Sequence, residues 1–467
     1  MESIKKKFLN FFSITLITAF LSILTIYILT TELTVEIFAT YALFFTSVAF
    51  SNGIIASYLT YIFSRNTKKI SDDEMWTEVY SSSLFLLVLV LVLYVLIFIC
   101  FLFLYKELII LYKNQIILSL IKIIFDSFQS IYLEYFRVKG DSINWSKLSL
   151  IIILSNTFLT YILFYFSFDF NILLFIGPAF SSVFSFLFIS FNYINFKKIN
   201  MNFNSIDFSL IKTSLLSSSL ENFNNFFEKF FLTKQLGLYQ FGIYNHSLSY
   251  KQYFGLVGNT FANTIWAVSL KEAVSNVKKF NETRKTWNLY YFLLFIATVL
   301  SVFFSEFFLN VITNGVFNEA KDYIPLLLMC FFIINSGKED MAFLFSHNFG
   351  NFLNNSNSMR IVVFIVMLVL SVPFMKIYGA IFSLIVSNSV YRIIVYLKVK
   401  SIMKSNYFIN YNYNWIPFLI ISVCIYTLSF FFEYVNLSLL FLIAGLIFGL
   451  YINAKTLKLK LISKNHE

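Results

Sequence analysis

Residues 323–345 read YIPLLLMCFFIINSGKEDMAFLF. The first half is a run that a bilayer accepts without cost, and the whole is long enough to cross one. Lys338, Glu339 and Asp340 then stand together inside it. At a membrane-helix centre each such charge costs about 2.5–3.5 kcal/mol, while each Leu, Ile or Phe returns about 0.3–0.6 kcal/mol. Three charges therefore cancel most of what their apolar neighbours contribute. Lys338 and Glu339 are adjacent, so on a helix they do not face each other. They require water or partners on other helices, and an intramembrane ionisable residue is a functional candidate by default.

The rest of the chain decides that this is a membrane segment and not a surface bulge. Of 467 residues, 58% are hydrophobic and 13% charged, against roughly 25% charged in ordinary soluble domains. Mean hydropathy is +0.76. Many apolar runs reach the length of about 18 residues that spans a hydrocarbon core. Ten-residue segments of alternating polarity, the mark of an outer-membrane barrel, do not occur. The fold class is therefore all-α, a polytopic membrane protein. The start, MESIKKKFLNFFSITLITAFLSILTIYILT, lacks a small-residue cleavage site and outruns a signal-peptide core, so it reads as an uncleaved first helix. Cys100, Cys330 and Cys424 all fall in apolar runs without zinc or disulfide spacing, and they read as small buried side chains.

Helices are expected at 8–30, 37–63, 79–105, 107–136, 146–168, 170–196, 209–234, 238–270, 287–311, 321–348, 359–376, 378–400, 414–433 and 436–456. That gives about fourteen spans, with twelve as the alternative if the splits at Phe168–Asn171 and Lys376–Tyr378 are not real. With the N-terminus in the cytoplasm, the cytoplasmic segments hold 24 Lys and Arg and the outer loops only Lys106, Lys234, Lys321 and Lys376. This is the asymmetry of the positive-inside rule. It puts both termini in the cytoplasm and assigns most of the net charge of +11 to topology, not to nucleic acid. The polar segment KKINMNFNSIDF at 197–208 lies near the midpoint. It is expected to link an N-terminal bundle (1–196) to a second bundle (209–400), with two further spans and a tail over 401–467. Two bundles with a linker fit a pair that rocks in opposition.

Charges recur in other spans. LSLIKIIFDSFQSIYLEY places Lys122, Asp126 and Gln129 on one helical face. SSSLENFNNFFEKFF places Glu221, Asn225 and Glu228 together with Lys229 beside them, and YNHSLSYKQYFGLVGN carries His246 and Lys251, with Ser247, Lys251, Gly255 and Gly258 in one stripe. The candidate cavity residues are thus Lys122, Asp126, Glu221, Glu228, Lys229, His246, Lys251, Lys338, Glu339 and Asp340. A hydrated cavity with a polar lining accounts for charges on four helices. The competing account is interhelical ion pairs that only fix packing, and His246 alone also fits a core histidine. Lys212 and Arg392 lie nearer the cytoplasmic ends and are expected to snorkel. No GxxxxGK[ST] loop, HExxH motif or metal cluster is present in the sequence, and no loop is long enough to hold a soluble catalytic domain. The reading is of a non-enzyme without a cofactor.

Four stretches resemble the polysaccharide transporters, the Wzx-type flippases of the MOP superfamily that also holds the MATE exporters and the lipid II flippases. They are LTVEIFATYALFFTSVAFSNGI at 33–54, with Ala39 where the family often has glycine; YLEYFRVKGDSINWSKLSL at 132–150; QLGLYQFGIYNHSLSY at 235–250; and KIYGAIFSLIVSNSVYRIIVYLKVK at 376–400, where Ala380 follows Gly379 directly. The resemblance covers nearly the whole chain in layout and order.

What it implies is a MATE-like two-bundle architecture with a central polar cavity. The implied activity is translocation of an undecaprenyl-pyrophosphate-linked oligosaccharide from the cytoplasmic to the periplasmic face of a bacterial inner membrane, by alternating access, for O-antigen or another surface polysaccharide. Partners would be that glycolipid, membrane lipids and other polysaccharide assembly proteins. From their placement in the spans, not from the matching stretches, Lys122, Lys251 and Lys338 would offer point charges and donors to phosphate oxygens. The carboxylates would hold those lysines, bond sugar hydroxyls, or couple to a proton or sodium gradient. The alternative is another MOP-type transporter, a lipid II flippase or a MATE-like drug/cation antiporter. A polymerase or ligase would be expected to carry a larger outer loop than 312–321.

Overall fold

The computed structural model describes residues 33–65, 73–104, 106–139, 141–166, 170–192, 208–275, 304–313, 315–347 and 349–403, with short helical stretches between 13 and 30 and scattered helical positions between 287 and 301. The two spans expected after 413, and nearly all of the linker at 197–208, lie outside these residues.

Among the described residues every long element is a helix: α1 (Val35–Arg65), α2 (Asp73–Leu104), α3 (Lys106–Lys139), α4 (Ser142–Tyr165), α5 (Phe170–Asn192), α6 (Phe208–Ser275), α7 (Ser305–Thr313), α8 (Ile324–Asn335), α9 (Lys338–Ser346) and α10 (Gly350–Met403). Their ends follow local chemistry. Thr34 caps α1 by accepting the Ile37 N–H at 3.4 Å, and Glu36 sits in its first turn. Asp141 caps α4, its carboxylate accepting the Asn144 N–H at 3.2 Å. Arg137 and Lys139 occupy the last turn of α3, where cations suit the helix dipole. Within helices, hydroxyls bond the carbonyl one turn back, as at Thr46, Ser51, Ser127 and Ser185, because an apolar interior offers them little else.

Two of the expected splits appear as breaks inside continuous helical runs. α6 turns at Gly237, with φ 81°, and α10 turns at Lys376, with φ 51°. At the second turn the chain doubles back tightly. A Cβ on Gly379 would lie 2.6 Å from the Ser371 carbonyl oxygen, and Ser371 donates to the Gly379 carbonyl at 2.8 Å. Tyr378 packs its ring on Tyr323 at 5.1 Å. Gly379→Val should therefore lower stability by about 1–3 kcal/mol, read as a lower melting temperature in detergent, because the clash is with backbone that cannot rotate away.

The outward faces are apolar. Leu154, Phe158, Tyr161 and Tyr165 form an exposed stripe on α4; Phe180, Phe184, Leu187 and Phe191 form one on α5; Val362, Val366, Val369 and Leu370 lie along α10. Water would not tolerate such repeated stripes, whereas lipid requires them. Together with the length and hydropathy of the helices, they define a multi-pass membrane protein.

The chain divides into two compact units, the first running to Asn245 and including Ile312–Val316, the second formed by His246–Val311 and Phe317 onward. The division falls on the second limb of α6, further along than the 197–208 linker. In the first unit α1 packs on α2 and α3, and α5 lies against α3 and α4, around a core of Tyr58, Leu59, Phe63, Leu86, Ile123 and Phe136. In the second, α9 and α10 share Phe343, Leu344, Tyr391, Val395 and Val399.

Two expectations are corrected here. The tenth span is not one helix over 321–348: it breaks at Ser336–Gly337 into α8 and α9. Residues 312–321 are not a plain outer loop. Asn318–Asp322 form a 3-10 turn, and Phe317 and Ala320 are fully buried.

Candidate functional site

In the first unit, Lys122 and Asp126 sit one turn apart on α3 and form an ion pair at 2.8 Å. The Lys122 ammonium also donates to Ser182 Oγ of α5 at 3.1 Å. Ser182 in turn donates to Asp126 Oδ1 at 2.5 Å, and Asn52 Nδ2 of α1 donates to Asp126 Oδ2 at 3.0 Å. Gln129, on the same face of α3, donates to the Ser182 carbonyl at 2.9 Å. Three helices thus converge on one carboxylate. Pro178, inside α5, begins the turn that carries Ser182, whose hydroxyl also reaches the Pro178 carbonyl at 3.0 Å. Beside the ammonium is a small pocket lined by Phe44, Phe45, Val48, Leu118, Ser119 and Pro178, with the Phe45 ring centroid 5.9 Å from Nζ. A lysine has three N–H donors. Here it is held by a carboxylate and a hydroxyl at the edge of a small, mostly apolar pocket.

The first limb of α6 belongs to the same unit. Glu228 is buried and accepts a hydrogen bond from the buried Tyr244 hydroxyl. Glu221 and Lys229 are half-buried and Asn225 is exposed. Gly53, next to Asn52, brings α1 so close to α6 that a Cβ would meet the Asn222 side chain at 2.4 Å.

In the second unit, His246 is fully buried, its ring 4.3 Å from Phe317 and 5.4 Å from Tyr250. Lys251 is half-buried. Parts of the small-residue stripe serve packing: Ser247 donates to the Ala320 carbonyl at 3.3 Å, and Gly258 lies under Phe331 and Leu294. At the α8–α9 break, Lys338 is half-buried while Glu339 and Asp340 are buried in the first turn of α9, the end of a helix that favours carboxylates. Asp340 pairs with Arg392 of α10 at 3.2 Å, with side-chain exposures of 2% and 1%. Arg392 therefore does not snorkel to an interface, contrary to the expectation from its place in the sequence. Its guanidinium finds better partners inside the protein.

Seven of the ten sequence candidates fall into local groups, Lys122 with Asp126, Glu228 on Tyr244, His246 on Phe317, and Lys338, Glu339 and Asp340 at one break, while Glu221, Lys229 and Lys251 are half-buried outside these groups. The sequence does not single out Asn52 or Ser182, and it assigns Arg392 to an interface instead of to Asp340. The signals for the first two are faint, a serine pair after a helical proline in GPAFSS (177–182) and an asparagine before glycine in SNG (51–53).

No family model and no curated relative matches this chain. Its fold does match solved structures. An outward-facing conformation of a multidrug resistance MATE family transporter of the MOP superfamily aligns at TM-score 0.61 and 16% identity, over 85% of this chain and 96% of that one. An inward-facing conformation of such a transporter aligns at 0.58 and 16%, over 85% and 98%, and a MATE protein in complex with MaL6 at 0.58 and 16%, over 85% and 96%. The chain has the fold of the MATE transporters.

Proposed function

We propose that this protein is an alternating-access transporter and not an enzyme, and that its cargo is an undecaprenyl-pyrophosphate-linked oligosaccharide carried from the cytoplasmic to the periplasmic face of a bacterial inner membrane, with both termini cytoplasmic. One observation carries the cargo reading. Lys122, in an apolar helical unit, is held ready by Asp126 and Ser182 at 2.8 and 3.1 Å beside an apolar pocket. A pyrophosphate offers that ammonium a stronger set of oxygens than one carboxylate does, and the polyprenyl tail can remain in lipid throughout. Release of Asp126 from Lys122 would leave a carboxylate free to take up a proton or sodium ion, which is how a gradient would be coupled. Lys251 and Lys338 are the further cations proposed for the glycolipid. The two-bundle division and the polysaccharide-assembly partners remain part of the same proposal.

A second reading, a drug/cation antiporter, is favoured by the likeness to multidrug resistance transporters. Reconstitution into proteoliposomes separates the two. With a lipid-linked oligosaccharide in the membrane, wild type should expose the glycan to a membrane-impermeant glycosidase on the far leaflet, and Lys122→Ala should slow this at least tenfold. Ion-driven efflux of an organic cation, with no movement of the glycolipid, would establish the antiporter instead.

A further inference from the structure

We infer that Arg392 is a positioning residue, which fixes the geometry of the helix break at Ser336–Gly337 and thereby the placement of Lys338. The guanidinium spans the break. Its Nη1 donates to Asp340 Oδ2 at the start of α9, and its Nη2 to the Ser336 carbonyl at the end of α8, both at 3.2 Å. All three residues are buried, at 1% exposure for Arg392, 2% for Asp340 and 4% for Ser336.

The electrostatics of the break match this assignment. A helix C-terminus carries partial negative charge and a helix N-terminus partial positive charge. At the break the end of α8 meets the start of α9, so a cation belongs on the Ser336 side and an anion on the α9 side. Arg392 and Asp340 occupy those places. Arginine is required by shape, since its planar fork serves two acceptors in different segments while lysine is a point charge.

Gly337 is the consequence in sequence. Its backbone lies so close beneath the guanidinium that a Cβ there would stand 1.8 Å from Nη1. That atom is at the end of a long side chain, but the guanidinium is held at both ends, by Asp340 at Nη1 and by the Ser336 carbonyl at Nη2, and this prevents it from yielding. From another side the Glu339 N–H donates to the Tyr291 hydroxyl at 3.3 Å, and Tyr291 is stacked on the buried Trp287. Ser336, Gly337, Glu339 and Asp340 are each held by a named contact, and Lys338 stands between them. Its place is set by its neighbours.

The test uses the full chain with Cys100, Cys330 and Cys424 replaced. The thiol introduced by Lys338→Cys is labelled with a membrane-impermeant maleimide, with Asn354→Cys on exposed α10 as the reference. Transport is measured separately in the same Arg392 variants with Lys338 intact. Arg392→Lys and Gly337→Ala should each change the labelling rate at position 338 at least fivefold and leave the reference unchanged. Should single variants fail to fold, Arg392→Gln with Asp340→Asn removes both charges of the ion pair while keeping amide hydrogen-bonding groups in their place, and should show the same change. Wild-type labelling in Arg392→Lys and in the double variant overturns the inference. So does transport lost with labelling unchanged, since Arg392 would then act elsewhere; the transport reading would survive. Altered labelling with intact transport upholds the positioning role and removes Lys338 from the cargo path. The labelling arm is independent of the proposed cargo, and only the activity arm rests on it.

Discussion

Asp126→Ala is expected to abolish transport and to destabilise the protein by about 3 kcal/mol, whereas Lys122→Ala should slow transport at least tenfold at roughly half that cost in stability. The asymmetry follows from the hydrogen-bond pattern. Asp126 is the acceptor for three donors, Asn52 Nδ2, Ser182 Oγ and Lys122 Nζ. Removing it leaves an ammonium without its counterion in an apolar unit. Removing Lys122 leaves Asp126 with two donors still in place. Lys122→Met with Asp126→Leu should recover most of the stability, because replacing both members of this half-buried pair by apolar groups removes the cost of holding two ions in an apolar unit along with their attraction. It should not recover transport. Thermal unfolding in detergent ranks the three variants, and the glycosidase-access assay reads their activity. A double variant that transports normally would reduce this relay to a packing feature, which is the account weighed against it from the sequence.

Much of the fold was legible because lipid imposes a simple rule on sequence. Every long element had to be an apolar helix, and hydropathy located them. The breaks at Gly237 and Lys376 were also legible, since glycine and a short polar turn interrupt otherwise continuous runs. The charged groups were visible as residues but not as partnerships. Lys122 and Asp126 are one turn apart and could be paired on paper. Asp340 and Arg392 are 52 positions apart, and nothing local to either names the other. Arg392 stands six residues before Lys398, roughly 9 Å along a helix, a distance that suggests snorkelling. The NSG at 335–337 is a break signal in any soluble protein; inside an apolar run it read as a polar flaw in one continuous helix. The break is stabilised by a side chain from another helix, and sequence periodicity does not carry that information.

Phe317→Ala is the second large effect, and it bears on the segment that hydropathy most misrepresents. Residues 312–321 are short and polar enough to read as an outer loop, and such a site should tolerate alanine within about 0.5 kcal/mol. The structure instead buries Phe317 completely, with its ring on His246 at 4.3 Å and a 31° tilt. The next turn is anchored by Ser247 donating to the Ala320 carbonyl, and Pro325 then opens α8, a position where proline lacks only an N–H that the helix would not use. Truncation should therefore cost about 3–4 kcal/mol, as for other buried phenylalanines, read as a lower melting temperature in detergent. Val316→Ala, next door but 43% exposed, should leave it nearly unchanged. His246→Ala opens the same space from the opposite side, so the double variant should cost clearly less than the two singles added, because residues in contact do not act independently. Additive costs would mean that the two rings do not share a cavity, and a Phe317→Ala protein as stable as wild type would return the segment to the loop that its composition suggests.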